Sequence, residues 1–334
     1  MADGKTLVTP LQFEALYQGE WQELETLLQG FFRMRRSAAA PAARQGERLA
    51  TLYRRVCEQL ALARARSYPA YMLDRLEQLT GAAHQAIYQR REFGLAAVKR
   101  LVSLDFPATV RAHAAYVLLA AALLLVPMLI VGLLVYCRPD LILSVVDART
   151  AASFEEMYSP TAESIGRLRT ANTDWMMFGY YIMHNISISF QCFAGGLLAG
   201  VGSVFFLVYN GAIIGAVGGY LTEHGLGTTF YPFVATHSAF ELTAIVIAGA
   251  AGLRLGHALL LPGRRTRLDS LVSAARRCAV LLYGSTAMLF IAAGIEAFWS
   301  SARWLPPGVK YGVAAACWLA VLGYLTFQGR ARAA

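Results

Sequence analysis

The chain has 334 residues, of which 57% are hydrophobic and 15% are charged, and it carries a formal net charge of +9. Ordinary soluble domains contain about 25% charged residues, so this composition excludes that class and indicates a membrane protein. The five cysteines are scattered singly, without a CxxC pair or a His/Cys spacing typical of metal sites. The sequence therefore predicts no disulfide framework, no metal site and no cofactor.

Residues 1–113 are expected to form a cytoplasmic domain of amphipathic helices, because the first long apolar run begins only near residue 114. A helix at 11–32 comes first, and two later helices are joined by a turn at Ser67–Pro69. Apolar residues at helical spacing mark the buried faces of these later helices. They are Leu49, Leu52, Val56, Leu60 and Ala63 in one helix and Leu76, Leu79, Ala83 and Ala86 in the other. The arginines indicate a solvated face or contact with anionic lipid, and nucleic-acid binding is not expected because base-stacking aromatics are lacking.

Residues 114–136 carry no charge and reach the roughly 20 residues that a membrane-spanning helix needs. No Asp, Glu, Lys or Arg occurs between Asp174 and Glu223. That stretch is too long for one crossing, so it must turn back. A glycine cluster is the preferred turn, and Asn210–Gly211 is the alternative. The cluster consists of Gly195, Gly196, Gly200 and Gly202.

The prediction is an all-α polytopic membrane protein with six spans in a transmembrane domain at 114–330. The spans are 114–136, 178–199, 203–222, 231–253, 278–299 and 310–327. Loop charge supports this count, because residues 1–113 hold 16 Lys and Arg against 11 acids and residues 254–277 hold six Arg against one acid. Residues 137–177 instead hold four Arg and six acids. With six spans, the basic segments and both termini lie on the cytoplasmic side of a bacterial inner membrane.

Small residues recur at every fourth position in two of the predicted spans. One ladder is Gly211, Gly215 and Gly219, and the other ends in Gly252 and Gly256. Small residues at this spacing let helix backbones approach closely inside a bilayer. The ladders therefore predict close helix packing, either within the chain or between two copies in a homodimer.

His237 and Glu241 lie one helical turn apart, on the face of their span that also carries its small residues. An ionised carboxylate inside the bilayer is costly, so the pair is expected to face the bundle interior. Further polar residues in the outer half of the membrane are His184, Asn185, Ser238 and Glu296. Two interpretations stay open: a structural pair that fixes neighbouring helices, or a site for protons, ions or a polar ligand. An enzyme is not expected, because no hydrolase elbow, HExxH or P-loop motif is present.

A resemblance to a known family rests on the stretch YYIMHNISISFQCFAGGLLAGVGSVFFLVYNGAIIGAVGGYL, followed by HSAFELTAIVIAGAAGLRLG and LLPGRR. These stretches resemble the stage II sporulation protein M family (SpoIIM-like, DUF95) of integral membrane proteins. The amino-terminal LATLYRRVCEQLALARARSYP resembles the cytoplasmic segment of the longer family members. The resemblance extends from about residue 20 to about residue 300.

Several family positions have counterparts in this sequence. The family's asparagine near the start of the second span corresponds to Asn185, and its Asn-Gly pair corresponds to Asn210–Gly211. Its His-Gly-x-x-Glu motif corresponds to His237 and Glu241. This chain departs from the pattern twice. Ser238 replaces the usual glycine, and a histidine at the position before Asn185 replaces an expected asparagine.

The resemblance implies a non-enzymatic membrane scaffold, because the family's namesake recruits cell-wall hydrolases during engulfment in spore formers. The alternative that it implies is a permease-like channel or transporter subunit that uses His237 and Glu241. Family members in other bacteria often occur with a MoxR-type ATPase and RDD-type membrane proteins. The expected partners are therefore the lipid bilayer and other proteins of the cell envelope.

The six-span topology predicts that a reporter fused after residue 334 lies in the cytoplasm. The reason is that an even number of spans returns the chain to the side of its basic amino-terminal segment. Paired alkaline phosphatase and green fluorescent protein fusions measure the location. A periplasmic signal from this fusion would contradict the six-span count.

Overall fold

The structure, a computed structural model, describes residues 9–36, 43–88, 94–162, 165–166 and 174–330. Within these residues it contains helices and no strand, which confirms the all-α prediction. The chain divides into two compact units, Met1–Ala97 and Val98–Ala334, and each is described by itself.

The first unit is built from three helices: α1 Pro10–Arg36, α2 Ala43–Ala65 and α3 Ala70–Tyr88. The nine apolar residues that were predicted to face inward in α2 and α3 are all buried in one core. Trp21 is fully buried in the same core, and its indole Nε1 donates a hydrogen bond of 2.7 Å to Gln59 Oε1. The helical spacing of the apolar residues is therefore the physical reason for this three-helix packing.

The segment that follows belongs to the second unit, which places the boundary earlier than the predicted division at 113/114. α4 Leu95–Arg100 crosses the boundary between the units, and a π-helical turn at Leu101–Asp105 and α5 Phe106–Ala112 follow it. Phe106 is buried against the membrane helices, and the Arg111 guanidinium donates a hydrogen bond of 2.8 Å to the Leu325 carbonyl. Packing thus joins this segment to the membrane helices, although hydropathy separates it from them.

The remaining elements alternate long apolar helices with shorter ones. They are α6 Ala114–Cys137, a 3₁₀ turn Pro139–Ser144, α7 Ala148–Tyr158, α8 Asp174–Ala194, a 3₁₀ turn Gly195–Leu197, α9 Val201–Glu223, α10 Gly227–Leu260, α11 Arg267–Gly294 continued by a π-helical segment Ile295–Ser300, and α12 Pro307–Phe327. Among the described residues, five of these helices (α6, α9, α10, α11 with its π-helical end, and α12) are long and apolar enough to cross a membrane. α10 is the most buried of the five within the protein.

α10 and α11 are longer than predicted at their arginine-rich ends. Residues 254–277 were expected to form a loop, but only residues 261–266 connect the two helices. Thr266 caps α11, since its hydroxyl oxygen accepts a hydrogen bond of 3.1 Å from the Asp269 backbone N–H. A threonine cap with an acidic residue three positions later is a strong helix start signal, and it prevails over the local charge.

α8 corresponds to the predicted span 178–199. It is not among the five helices that are long and apolar enough to cross a membrane. Polar side chains along the helix lower its hydropathy. Its 21 residues would nevertheless reach about 32 Å, enough for the hydrocarbon layer. α8 runs alongside α10, with the Cys192 and Phe193 carbonyls against Gly252. The crossing by α8 therefore stays a prediction, which its packing supports.

The turn between α8 and α9 lies in the predicted glycine cluster. Gly200 has a φ of 88° at the start of α9, a left-handed conformation that favours glycine. The alternative turn at Asn210 is wrong, because this residue lies inside α9. Its side-chain Nδ2 donates a hydrogen bond of 2.7 Å to the Phe206 carbonyl one turn earlier, which is compatible with a continuous helix.

Both glycine ladders pack against backbone of the same chain. A Cβ atom at Gly211, Gly215 or Gly219 would lie 2.1–2.2 Å from a carbonyl oxygen of α6. A Cβ atom at Gly252 would lie 2.5 Å from the Cys192 carbonyl oxygen, and one at Gly256 would lie 2.3 Å from the Gly200 nitrogen. The ladders thus join α9 to α6 and α10 to the end of α8 and the turn after it.

Gly215→Ala is expected to destabilise the membrane unit strongly, because the new Cβ atom would overlap the Met128 carbonyl oxygen at 2.1 Å. Overpacking of this kind costs about 1–3 kcal/mol or more. The matched control is Gly323→Ala in α12, where no atom lies within 4 Å of the added carbon. Thermal unfolding in detergent should show a lower midpoint for the first variant and an equal or slightly higher midpoint for the second, because alanine favours the helix over glycine. Equal midpoints would contradict the close packing of α6 and α9.

Candidate intramembrane site

Three ionisable side chains from two neighbouring helices meet at one end of the membrane unit, and we call them the polar cluster: His237, Glu241 and Glu296. One ligating atom of each residue lies within 4.8 Å of the ligating atoms of the other two. His237 and Glu241 come from α10, and Glu296 comes from the π-helical segment after α11. Residues more than 50 positions apart thus form one site.

His237 is held by contacts on both sides of its ring. Its Nδ1 atom lies 3.0 Å from the Ser300 hydroxyl oxygen, and its Nε2 atom lies 3.9 Å from Glu241 Oε2. The ring of Phe233 packs against it edge to face, with the centroids 5.3 Å apart. The imidazole is buried, so its orientation is fixed by these neighbours.

The π-helical segment Ile295–Ser300 supplies two of the residues of this site. Glu296 joins the polar cluster directly, and Ser300 contacts His237 from the same segment. Short π-helical turns inside longer helices are rare and often occur at functional sites. Here the altered turn directs both side chains toward α10.

α12 adds a buried lysine beside the cluster. The Lys310 ammonium donates a hydrogen bond of 2.7 Å to the Ser300 carbonyl, and the residue is 3% exposed. The Thr236 hydroxyl on α10 donates to the Lys310 carbonyl at 3.3 Å. Among the described residues, no carboxylate pairs with this ammonium. Sequence reasoning missed Lys310, because the residue stands at the predicted start of a span, where lysine commonly reaches the membrane surface.

α8 contributes Asn185, which is 1% exposed and lies close enough to Glu296 for their side chains to interact. No hydrogen bond of standard geometry satisfies its Nδ2 atom within the described part of the chain. The same holds for Glu296 Oε2 and the indole nitrogen of Trp299, both of which are buried. Buried polar atoms normally have partners, so this group of unsatisfied atoms calls for an explanation.

The carboxyl-terminal end of α7 lies beside the site. The Tyr158 ring packs edge to face against Phe230 and Phe233, with centroids 5.1 and 5.7 Å away. Burial, reinforced by the negative charges of Glu296 and Glu241, raises the pKa of Tyr158. The Tyr158 hydroxyl therefore stays protonated and presents a neutral group near the two carboxylates.

An arginine and a glycine position the described residues that follow α7. The Arg303 guanidinium donates hydrogen bonds to the carbonyls of Pro160 (2.6 Å) and Ala162. Gly166 has a φ of 73° and lies against the Phe233 ring, where a side chain would collide with the ring carbons. Tyr158 and Gly166 thus both contact Phe233, the aromatic residue that contacts His237.

Two of the residues predicted to join the site do not reach it. His184 is exposed and stacks on Tyr180, with ring centroids 5.8 Å apart, so it faces away from its buried neighbour Asn185. The Ser238 hydroxyl donates to the Ala235 carbonyl of its own helix at 3.0 Å. Adjacent residues of a helix point about 100° apart, which explains why only one of each pair faces the cluster.

Comparison with known protein families shows what the chain is similar to. The family model described as Stage II sporulation protein M matches residues 120–301, which is more than half of the chain. The chain belongs to the stage II sporulation protein M family. A second model, described as a domain of unknown function (DUF8413), matches residues 11–89. No curated protein and no solved structure matches the chain.

The family assignment confirms the resemblance found in the sequence. The matched region contains the whole polar cluster together with Asn185 and Ser300, whereas Lys310 lies beyond it. The DUF8413 match coincides with the three helices of the first unit. The chain therefore combines a stage II sporulation protein M membrane region with a separate helical unit.

Ser300→Ala is expected to lower the free energy of unfolding by about 1–3 kcal/mol, because it leaves His237 Nδ1 buried without a partner. Ser187→Ala is the control, since its hydroxyl donates only to the Met183 carbonyl on an exposed face of α8. That change should cost no more than about 0.5 kcal/mol. Thermal unfolding in detergent compares the two variants, and equal shifts would argue against a structural role for the histidine contact.

Proposed function

We propose that this protein is a non-enzymatic scaffold of a cell-envelope complex in the bacterial inner membrane. The observation that carries the proposal is the close packing of the membrane helices at glycine. At each of the five glycines of the two ladders, an added carbon would lie 2.1–2.5 Å from a backbone atom of a neighbouring segment. Helices in backbone contact cannot slide or rock without losing these contacts, so the membrane unit is suited to hold a fixed shape.

The first unit supports the same proposal. Its three helices bury a core of their own, while ion pairs such as Arg48 with Glu23 lie on its surface. The Arg48 guanidinium lowers the pKa of Glu23, which keeps that carboxylate charged at neutral pH. A separately packed helical unit with a polar surface is suited to bind other proteins. Its partners in this proposal are envelope or membrane proteins, including MoxR-type ATPase or RDD-type neighbours by family resemblance.

The proposed orientation places both termini in the cytoplasm and counts α8 as a sixth crossing. The arginine-rich ends of α10 and α11 support this orientation by the positive-inside rule. The polar cluster then lies toward the outer surface, near the end of α7 that carries Tyr158. The proposal also predicts that the first unit faces the cytoplasm, where a soluble ATPase can reach it.

The proposal is tested by cross-linking the tagged full chain in native membranes and quantifying the recovered proteins by mass spectrometry. Leu11 and Leu16 are 75% and 66% exposed on α1 and are the apolar side chains to change. Leu11→Glu combined with Leu16→Glu should reduce recovery of the specific partners by about tenfold, a loss of about 1.4 kcal/mol in binding. Gln78→Glu combined with Gln85→Glu, on exposed positions of α3, is the matched charge control.

A parallel measurement separates a scaffold from a transporter. The wild-type protein in proteoliposomes should show no proton or cation flux above empty liposomes, and Glu241→Gln should leave partner recovery unchanged. Flux that Glu241→Gln abolishes, with partner recovery intact, would overturn the scaffold proposal in favour of a permease-like subunit.

A further inference from the structure

We propose that His237, Glu241 and Glu296 bind a divalent transition-metal cation. The proposal does not depend on the scaffold function, since a resident cation would serve a scaffold or a transporter alike. The sequence predicted no metal site, because its cysteines are scattered singly and it has neither a CxxC pair nor a His/Cys metal spacing. The structure brings the three donors together from α10 and the π-helical segment Ile295–Ser300.

The distances fit a shared cation better than direct contacts. His237 Nε2 and Glu241 Oε2 are 3.9 Å apart, which is too far for a hydrogen bond. Zinc binds imidazole nitrogen and carboxylate oxygen at about 2.0–2.2 Å, so two ligands of one ion lie about 3–4 Å apart. All three ligating atoms lie within 4.8 Å of one another. Small side-chain rotations that move each atom by less than about 1 Å would place all three at ligand distance from one ion.

Ser300 orients the histidine for this role. We assign Nδ1 as the protonated nitrogen, which donates to the Ser300 hydroxyl oxygen at 3.0 Å. Nε2 then directs its lone pair toward Glu241 and Glu296. Metal-binding histidines commonly donate their second ring nitrogen in this way, which fixes both the tautomer and the orientation of the ring.

Electrostatics supplies a reason for a cation. Two carboxylates that face each other inside a membrane protein cost several kcal/mol unless positive charge balances them. Within the described residues, the nearby ammonium of Lys310 donates to the Ser300 carbonyl and pairs with neither carboxylate. A divalent cation with two carboxylates and a neutral imidazole gives a site with no net charge.

The unsatisfied atoms around the cluster are a second and independent observation. Glu296 Oε2 and Asn185 Nδ2 are buried without a hydrogen-bond partner in the described structure. A cation would satisfy one carboxylate oxygen of Glu296 directly, and Asn185 can donate to the other when the carboxylate is drawn into position. The Asn185 amide would then orient the Glu296 carboxylate while the other carboxylate oxygen binds the cation.

The donor set selects the class of metal. One imidazole and two carboxylates suit zinc, manganese or ferrous iron, whereas magnesium and calcium favour oxygen ligands alone. The ring of Phe233 packs against the imidazole of His237, and the ring of Tyr158 packs against Phe233. A bound ion would tie the centre of α10 to the end of α11.

The test uses the full chain in detergent, stripped with a chelator, equilibrated with zinc chloride and passed over a desalting column. Elemental analysis should find about one zinc ion per wild-type chain. Glu241→Gln and Glu296→Gln should each weaken binding by at least about tenfold in calorimetric titrations, as loss of a ligand requires. Size-exclusion profiles and helical circular dichroism confirm that these nearly isosteric variants are folded.

The matched control is a second His/Glu pair outside the cluster. His224 Nδ1 lies 3.0 Å from Glu223 Oε2 at the end of α9. Glu223→Gln combined with His224→Gln should leave zinc content and affinity unchanged. Zinc retained equally by the Glu241→Gln, Glu296→Gln double variant, or lost only from this control pair, would overturn the proposal.

X-ray absorption at the zinc edge keeps the test decisive if a cluster variant does not fold. The wild-type spectrum should show nitrogen and oxygen ligands at about 2.0–2.1 Å, with the outer-shell scattering of a single imidazole. Absence of bound zinc in the wild-type protein, or a spectrum without imidazole scattering, would show that the carboxylates are balanced by protons instead. Either result would overturn the metal site without bearing on the partner-recovery measurement.

Discussion

Backbone contact at glycine is the constraint on which the membrane unit depends. α9 lies so close to α6 that no side-chain carbon fits at Gly211, Gly215 or Gly219. Inside a bilayer, helices gain little from the hydrophobic effect when they associate, so close approach and dispersion supply much of the stability. The same contact at Gly252 and Gly256 fixes α10 against the turn after α8. α10 is thereby packed against protein along most of its length, and the ring of His237 is buried.

This enclosure accounts for the chemistry at the other end of α10. A buried imidazole and two carboxylates are tolerated only where their surroundings supply hydrogen bonds or positive charge. Ser300 and Asn185 supply polar atoms from two neighbouring elements, and Lys310 brings positive charge near the same point. On the α7 side, Tyr158 packs against Phe233 beside the histidine, and Arg303 holds the residues after α7 by a hydrogen bond to the Pro160 carbonyl. A rigid bundle and a polar centre are thus two consequences of one packing arrangement.

The local pattern of the sequence predicts much of this fold, because helical spacing and hydropathy are properties of neighbouring residues. The stripe from Leu49 to Ala63 is buried as its spacing indicates, and the glycine cluster near Gly200 forms the turn. Asn210 was a plausible turn residue, but its side chain bonds to its own helix and the chain continues. The inward direction of His237 also followed from its place on the small-residue face of its helix.

The contacts between distant segments could not be read in the same way. Glu296 had a compatible depth, but nothing in the sequence showed that a π-helical turn would bring it to His237. Lys310 resembled an ordinary lysine at a membrane surface until the packing of α12 placed it beside Ser300. His184 shows the opposite error, since its depth was suitable while its direction around α8 was not. Depth follows from counting residues, whereas direction depends on how each helix is rotated in the bundle.

The π-helical segment Ile295–Ser300 has a consequence for how relatives of this chain should be aligned. A π turn accommodates one residue more than an α-helical turn, so it behaves as an insertion within an otherwise regular helix. Deletion of a single residue there would restore an α-helical turn while the residues on either side keep nearly the same direction, because the wider π turn absorbs the extra residue. Relatives with a one-residue gap in this segment would then still place a residue on the side of the helix that faces His237. An alignment of relatives should therefore allow a gap of one residue here, so that the residues on either side of the segment stay matched.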